Sequence, residues 1–259
     1  MPIVKSGEAR IHYVLEGQRE FSVLVFSNSL GTNYSMWDPQ VPEFLKKFRV
    51  LRYDTRGHGQ SSLTPGPYSI EQLGNDLLAL LDALHLDRVH FCGLSMGGMI
   101  GMWLGVNAPE RLNKLALCNT GAKIGTAEGW NSRIDAVQKN GMKSVASATV
   151  ERWFTPAFRR KAPATVAGIH KMLEEANAEG FVACSAAVRD FDFREQVSKI
   201  RLPTLVISGA HDPGTPPADG RFLVQHISGA RYAELNAAHL SNIEDQDRFT
   251  NELAAFLTS

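Results

Sequence analysis

Short apolar runs alternate with amphipathic helical segments along most of the chain, and this alternation restricts the fold more than any other feature. Strands whose two faces are both apolar are typical of a parallel sheet, because helices cover both of its faces. Strands that alternate with helices predict an α/β fold with a doubly wound, mostly parallel sheet. The predicted strands are at residues 10–15, 22–27, 49–53, 89–92, 114–118, 204–208 and 231–235.

Helical segments connect these strands. Ser69 is a predicted N-cap, and Gln72 three residues later completes a capping box before leucines that recur at helical spacing. A second helix is predicted over residues 98–106, where Asn107-Ala108-Pro109 ends it. The last helix is predicted over residues 245–256.

The rhythm of strands and helices breaks between residues 122 and 196. This interval has no strand run but has helical stretches, at residues 134–139, 142–154, 163–178 and 180–189. We predict that it forms a helical lid over one edge of the sheet, inserted before the last two strands. Residues 1–121 and 197–259 would then form the core, and residues 122–196 the lid.

Composition argues against several classes of function. Lys plus Arg equals Asp plus Glu at 27 each, so no global field attracts nucleic acid or an anionic membrane. No window reaches the roughly 18 apolar residues that span a bilayer, and residues 1–10 hold no signal region, so the default expectation is a cytoplasmic protein. Cys92, Cys118 and Cys184 are odd in number and widely spaced, which predicts neither a disulfide framework nor a metal site.

The sharpest motif is the turn Gly93-Leu94-Ser95-Met96-Gly97-Gly98, which follows the predicted strand at residues 89–92 and precedes a helix. In that context G-x-S-x-G is typical of a nucleophile elbow. The turn is so tight that the residues beside the serine must be very small, and Gly93 and Gly97 meet that need. A dinucleotide fingerprint is the alternative, but it fails because Ser95 stands where its second glycine belongs.

A serine hydroxyl becomes a nucleophile only with a base, and the base needs a carboxylate to orient it. His239 follows the predicted strand at residues 231–235, and Asp212 follows the one at residues 204–208. We therefore predict that Ser95, Asp212 and His239 are the catalytic residues. Among the other histidines, His58 is interpreted as shaping its own loop through local hydrogen bonds.

Acyl transfer also needs two backbone N–H groups that bind the developing oxyanion. Met96 follows the nucleophile and is one predicted donor. The loop after the strand at residues 22–27 reads Asn28-Ser29-Leu30-Gly31-Thr32, and Leu30 is the second predicted donor. An ordinary strand-to-helix turn is the alternative interpretation of this loop.

With these motifs in place, the chain resembles the α/β-hydrolase superfamily along nearly its whole length, including the order Ser, Asp, His. Most members carry His-Gly at the start of the oxyanion loop, whereas this chain has Asn28-Ser29. That departure is similar to the 3-oxoadipate enol-lactonases. Residues 36–40, 91–99 and 237–242 are similar to the same group. The segments that match the superfamily as a whole are residues 54–61, the elbow at Ser95, residues 209–212 with Pro216, and His239 with Glu244.

The resemblance implies an eight-stranded α/β-hydrolase fold and the hydrolysis of 3-oxoadipate enol-lactone in aromatic-compound breakdown. Ser95 would attack the lactone carbonyl, and water activated by His239 would release the product, without a metal or organic cofactor. The partner is then a small lactone or ester with a carboxylate, with no nucleic acid or membrane; a homo-oligomer stays open. The alternatives are another carboxylesterase, a carbon–carbon bond hydrolase, or a non-catalytic ligand-binding protein on the same fold.

The carboxylate of such a substrate requires a cation, because burying it unpaired is costly. We predict that the lid supplies Arg133, which lies near Trp130, because an arginine pairs both carboxylate oxygens. Trp153 is predicted to line the apolar side of the pocket. The competing cations are Arg152, Arg159, Arg160 and Arg189.

Overall fold

The computed structural model describes residues 2–259. Over that range the strands are β1 (Ile3–Ser6), β2 (Ala9–Glu16), β3 (Val23–Ser27), β4 (Arg49–Tyr53), β5 (Val89–Leu94), β6 (Leu112–Cys118), β7 (Thr204–Gly209) and β8 (Arg231–Leu235). They form one eight-stranded sheet in the order β1-β2-β4-β3-β5-β6-β7-β8. From β4 onward in that order all neighbours are parallel, whereas β1–β2 and β2–β4 are antiparallel. The predicted fold class is confirmed.

The strand β1 is absent from the sequence prediction. It has only four residues, and Ile3 is 49% exposed, so it lacks the apolar run that reveals the other strands. The central strands show the opposite pattern, since every residue of β3 and of β7 is buried. This contrast follows from position, because β1 is an edge strand and the central strands have helices on both faces.

The structure adjusts the bounds of the helices that were predicted from the sequence. The helices are α1 (Val41–Phe44), α2 (Ile70–Ala83), α3 (Met96–Asn107), α4 (Ala127–Asn140), α5 (Lys143–Trp153), α6 (Pro156–Lys161), α7 (Pro163–Glu174), α8 (Ala178–Asp190), α9 (Pro217–His226), α10 (Ser241–Glu244) and α11 (Gln246–Thr258). The N-cap of α2 is confirmed, since the Ser69 hydroxyl accepts from the Gln72 N–H at 3.1 Å. The helix predicted to start at residue 245 starts at Gln246, and the short α10 just before it was not predicted.

Five of the helices within residues 2–259, α4 to α8, lie between β6 and β7. The short α6 was not predicted, because Thr155-Pro156 looks like the end of a helix, whereas Thr155 caps a new one by accepting from the Phe158 N–H. One of these helices, α8, makes a close backbone contact with the loop after β4, where a Cβ on Gly180 would stand 2.0 Å from the Gly57 carbonyl oxygen. A glycine at residue 180 therefore allows α8 to approach the loop that follows β4.

Across the part of the chain that the structure describes, no helix combines the length and apolarity needed to cross a bilayer.

Candidate active site

The nucleophile candidate lies at the turn between β5 and α3. Ser95 has φ 59° and ψ −115°, in the left-handed half of backbone space that L-residues rarely occupy. A Cβ on Gly93 would stand 2.2 Å from the Gly97 carbonyl oxygen, and one on Gly97 would stand 2.3 Å from the Ser27 carbonyl oxygen. Both glycines are therefore required for the turn, and strain of this kind is typical of functional sites.

Asp212 and His239 meet at the same edge of the sheet, on the loops after β7 and β8. Asp212 Oδ2 lies 2.7 Å from His239 Nδ1, and both side chains are buried. The Oδ1 atom of Asp212 accepts from the N–H groups of Gly214 at 2.8 Å and Thr215 at 3.1 Å. Because the carboxylate holds the proton on Nδ1, the Nε2 atom of His239 is left as the base.

Two further side chains hold the Asp212 carboxylate. Thr215 Oγ1 donates to Oδ2 at 2.5 Å, and Asn119 Nδ2 donates to the same oxygen at 3.0 Å. Burial alone would raise the pKa of Asp212, but the charge and hydrogen bond of His239, with those two donors, lower it to about 2. Asp212 is therefore ionised at neutral pH, as a partner of an imidazolium must be.

Asn119 also joins the loops of the site. Its Nδ2 atom donates to the Ala238 carbonyl oxygen at 3.1 Å, and its Oδ1 atom accepts from the Ser241 hydroxyl at 2.5 Å. This residue was not predicted from the sequence. Its position directly after β6, at the edge where the other loops converge, was the available signal.

The predicted oxyanion donors are held by a network of buried backbone and side-chain contacts. The Gly97 N–H donates to the Asn28 carbonyl oxygen at 3.0 Å, which ties the elbow to the loop after β3. The Asn28 side chain donates to the Tyr53 carbonyl oxygen at 2.7 Å and accepts from Trp37 Nε1 at 3.0 Å. Within residues 2–259, the N–H groups of Leu30 and Met96 donate to no protein acceptor. They are therefore available to a substrate oxygen.

His58 has a wider role than the local one inferred from sequence. Its Nδ1 atom lies 3.3 Å from the Arg56 carbonyl oxygen, which is a local contact, but its Nε2 atom accepts from the Gly31 N–H at 2.9 Å. Burial lowers the pKa of His58, so the imidazole remains neutral and can accept. The oxyanion loop is therefore anchored by a histidine from the loop after β4.

A cavity of about 80 Å³ opens above the catalytic candidates. Its wall contains all three triad candidates, Leu30, and the three predicted substrate-binding residues Arg133, Trp130 and Trp153. Ile124 and Phe181 also line the cavity, and neither was predicted from the sequence. A larger groove of about 1040 Å³ lies between the loop at residues 63–67 and helices α4 and α8, and it contains none of the triad candidates.

Arg133 reaches this cavity between two aromatic rings. Its guanidinium carbon lies 5.5 Å from the ring centroid of Trp130 and 5.7 Å from that of Phe181, and it donates to the Thr149 hydroxyl. Burial, together with the charge of Arg152, lowers the pKa of Arg133 to about 10. It is therefore a cation at neutral pH, with no carboxylate within 4.0 Å in residues 2–259.

The competing arginines lie elsewhere, with one exception. Arg189 pairs with Asp190 at 2.7 Å, and the Arg159 guanidinium lies 4.0 Å from Glu151. Arg160 is exposed and lines a neighbouring groove. Arg152 is the exception, because it lines both that groove and the catalytic cavity.

All three cysteines are buried and free, and Cys92 Sγ lies 3.7 Å from Cys118 Sγ across neighbouring strands. No group of three or more His, Cys, Asp or Glu side chains within residues 2–259 is arranged to hold a metal ion.

A strained serine above the carboxyl end of a central parallel strand, beside a buried Asp-His pair, is the architecture of serine ester hydrolases. The sequence profile of the alpha/beta hydrolase fold family matches residues 22–246, and the chain belongs to that family.

Within the family, the chain is similar to enol-lactonases. It is 44% identical over 250 residues to 3-oxoadipate enol-lactonase 2 of Acinetobacter baylyi, which covers 96% of this chain and 94% of that protein. It is 39% identical over 245 residues to 3-oxoadipate enol-lactonase 1 of the same organism, over 95% and 92% of the two chains. The crystal structure of the enol-lactonase from Burkholderia xenovorans superposes with a TM-score of 0.98 at 45% identity, over 100% of both chains. The resemblance predicted from sequence is confirmed.

Proposed function

We propose that this chain hydrolyses 3-oxoadipate enol-lactone to 3-oxoadipate through an acyl-enzyme on Ser95. The observation that carries the proposal is the cavity itself. The same cavity is lined by Ser95, Asp212 and His239 and by the half-buried cation Arg133. A small ester with a carboxylate would meet both the nucleophile and the cation there. The similarity to two 3-oxoadipate enol-lactonases supports this substrate.

The reaction follows from the arrangement of these groups. Ser95 Oγ attacks the lactone carbonyl carbon as His239 Nε2 accepts the hydroxyl proton, and the Leu30 and Met96 N–H groups stabilise the oxyanion. The ring C–O bond breaks and the leaving oxygen takes a proton from His239. The resulting enol becomes a ketone by tautomerisation. Water then attacks the acyl carbon as His239 accepts its proton. The bond between the acyl carbon and Ser95 Oγ breaks, His239 returns the proton to Oγ, and the second carboxylate is released.

Arg133 has the surroundings expected of a carboxylate ligand. Its charge lies against the faces of Trp130 and Phe181, which displace water from one side, and the Thr149 hydroxyl is the acceptor that it contacts. A charge-assisted pair with the substrate carboxylate would be strong in such a site. Because the Arg133 side chain is already held in place, little side-chain entropy is lost when the substrate binds.

The direct test follows the loss of enol-lactone by ultraviolet absorbance with the wild-type chain and with Ser95→Ala. We expect turnover in the wild type and none above background in Ser95→Ala, while the two proteins have the same unfolding midpoint. Comparable rates in the two proteins would end the hydrolase proposal. Labelling with a fluorophosphonate adds a second readout, since a non-catalytic binding protein would form no adduct at Ser95.

A second experiment separates this lactonase from a general carboxylesterase. Arg133→Ala should raise KM for the anionic lactone at least tenfold more than KM for a neutral aryl ester, because only the lactone loses an ion pair of roughly 1.5–3 kcal/mol. Arg189→Ala is the matched control, since that arginine pairs with Asp190 and does not line the cavity. Equal effects of Arg133→Ala on the two substrates would favour the general esterase.

A further inference from the structure

A second concave surface adjoins the catalytic cavity. It is a groove of about 450 Å³ beside α6, and we call it the α6 groove. Its walls come from the end of α5 and from α6 on the lid, and from the loops after β7 and β8 on the core. The groove lining includes Arg152, Arg160, His211 and Ala238. Ala238 directly precedes His239, which lines the catalytic cavity.

Arg152 connects the groove to the catalytic cavity, because it lines both. Its Nη2 atom lies 3.5 Å from the Thr149 hydroxyl oxygen, the same atom to which Arg133 donates. One hydroxyl oxygen with two acceptor sites can serve both guanidinium groups. Arg160, Arg152 and Arg133 therefore form a series of cations that leads from an exposed groove to the interior of the cavity.

These charges have few acidic neighbours. Neither Arg152 nor Arg160 has a carboxylate within 4.0 Å among the residues that the structure describes. Glu151 is the acidic residue on the groove wall, and Arg159 lies 4.0 Å from it. Some other surface arginines of this chain are paired, as Arg194 is with Asp192 at 2.6 Å. In the groove lining, Arg152 and Arg160 outnumber the acidic Glu151 by two to one.

We propose that the α6 groove is the path by which a carboxylate-bearing substrate enters the catalytic cavity and a dicarboxylate product leaves it, with Arg160 and Arg152 as guiding cations. The identity of the anion rests on the proposed function. A lined cleft of one charge focuses the field and raises the local concentration of a counter-ion, which increases the association rate. The effect disappears in salt, because the Debye length falls from about 30 Å at 0.01 M to about 3 Å at 1 M.

The test compares two aryl esters of similar size, anionic 4-nitrophenyl hydrogen succinate and neutral 4-nitrophenyl butyrate. We expect the ratio of their kcat/KM values to fall about tenfold in the double variant Arg152→Gln/Arg160→Gln at about 10 mM ionic strength. The single variants should each account for part of the loss. The difference from wild type should vanish at about 500 mM. The neutral ester normalises the rate of each variant, and the unfolding midpoint measured by circular dichroism reports whether the variant is folded.

Arg248→Gln is the matched control, since Arg248 is exposed, has no ion pair among residues 2–259 and does not line the groove. It removes the same charge and should leave the ratio unchanged. An unchanged ratio in the double variant, or an equal fall in the control, would overturn the proposal. Calorimetric titration of adipate into each protein is a second measurement, and we expect at least fivefold weaker binding in the double variant at low salt.

The outcome is separable from that of the lactonase test. If the esters show the salt-dependent ratio but the enol-lactone is not turned over, the α6 groove stands and the proposed substrate fails. If the lactone is turned over but neither the ratio nor adipate binding responds to the two substitutions, the groove proposal fails alone.

Discussion

Replacement of His58 by leucine would test how much of catalysis depends on the anchoring of the oxyanion loop. His58 is buried, and its Nε2 atom accepts from the Gly31 N–H at 2.9 Å, one residue beyond the predicted donor Leu30. Leucine has a similar volume but no acceptor, so the Gly31 N–H would be buried without a partner. Gly31 has φ 83°, and a Cβ there would stand 2.5 Å from Leu173 Cδ1, so the loop has little room to rearrange.

The magnitude follows from the cost of a buried unpaired donor, which is about 1–3 kcal/mol. If the loop keeps its position, the free energy of unfolding falls by that amount. If the loop relaxes to pair the N–H elsewhere, the cost moves to the transition state, because Leu30 must return to the oxyanion. Since about 1.4 kcal/mol is a factor of ten in rate, kcat would then fall about 5- to 150-fold. KM would change less, because the ground-state ester makes weaker use of the oxyanion donors.

The assay measures kcat, KM and urea unfolding for wild type, His58→Leu and His58→Gln. Glutamine supplies an amide oxygen near the Nε2 position, so we expect it to recover most of the lost kcat. A His58→Leu variant with both wild-type kcat and wild-type unfolding free energy would contradict the anchoring role of His58. Equal impairment of the glutamine and leucine variants would also contradict it, because the role would then be one of shape and not of hydrogen bonding.

Three further predictions concern the triad and its supports. Gly97→Ala should abolish activity and lower the unfolding midpoint measured by circular dichroism, because its Cβ would stand 2.3 Å from the Ser27 carbonyl oxygen, which is backbone and cannot move aside; an active, fully stable variant would contradict the elbow geometry. Asn119→Leu should lower kcat roughly tenfold with little change in KM, since Asp212 loses the donor at 3.0 Å. The pKa of Asp212 is lowered from 3.8 to about 2 in the folded chain, so ionised Asp212 contributes stability that is complete well above pH 4 and declines as pH falls toward 2. About half of a contribution of about 2 kcal/mol should be lost by about pH 3, which the narrowing gap in urea unfolding between wild type and Asp212→Asn would reveal.

Local sequence patterns were sufficient for most of the fold. The runs that became β3, β5 and β7 are apolar on both faces, and that pattern has few interpretations in a chain of this length. The strand β1 was not predicted, because an exposed edge strand of four residues has no such pattern. The helix α6 was not predicted, because Thr155-Pro156 is as typical of a helix end as of a helix start.

For the active site, the sequence pattern predicted the residues that act from a loop directly after a strand. Ser95, Asp212 and His239 each follow one, and the sequence placed them at one edge of the sheet. The supporting contacts were not predictable, because Asn119 reaches Asp212 and His58 reaches Gly31 across loops that only the folded chain brings together. The position of Asn119 directly after β6 could have singled it out, but no local pattern shows which group its side chain contacts.

The insertion of five helices between β6 and β7 has a consequence for how this scaffold can change. Those two strands are neighbours in the sheet, so the inserted segment is thermodynamically a long loop whose ends are fixed by Cys118 and Thr204. Loop-closure entropy grows only with the logarithm of length, and doubling such a segment costs about 0.6 kcal/mol. Evolution and protein engineers can therefore exchange helices α4 to α8, in size as well as sequence, while Asn119 and the other groups that hold Asp212 and His239 remain intact.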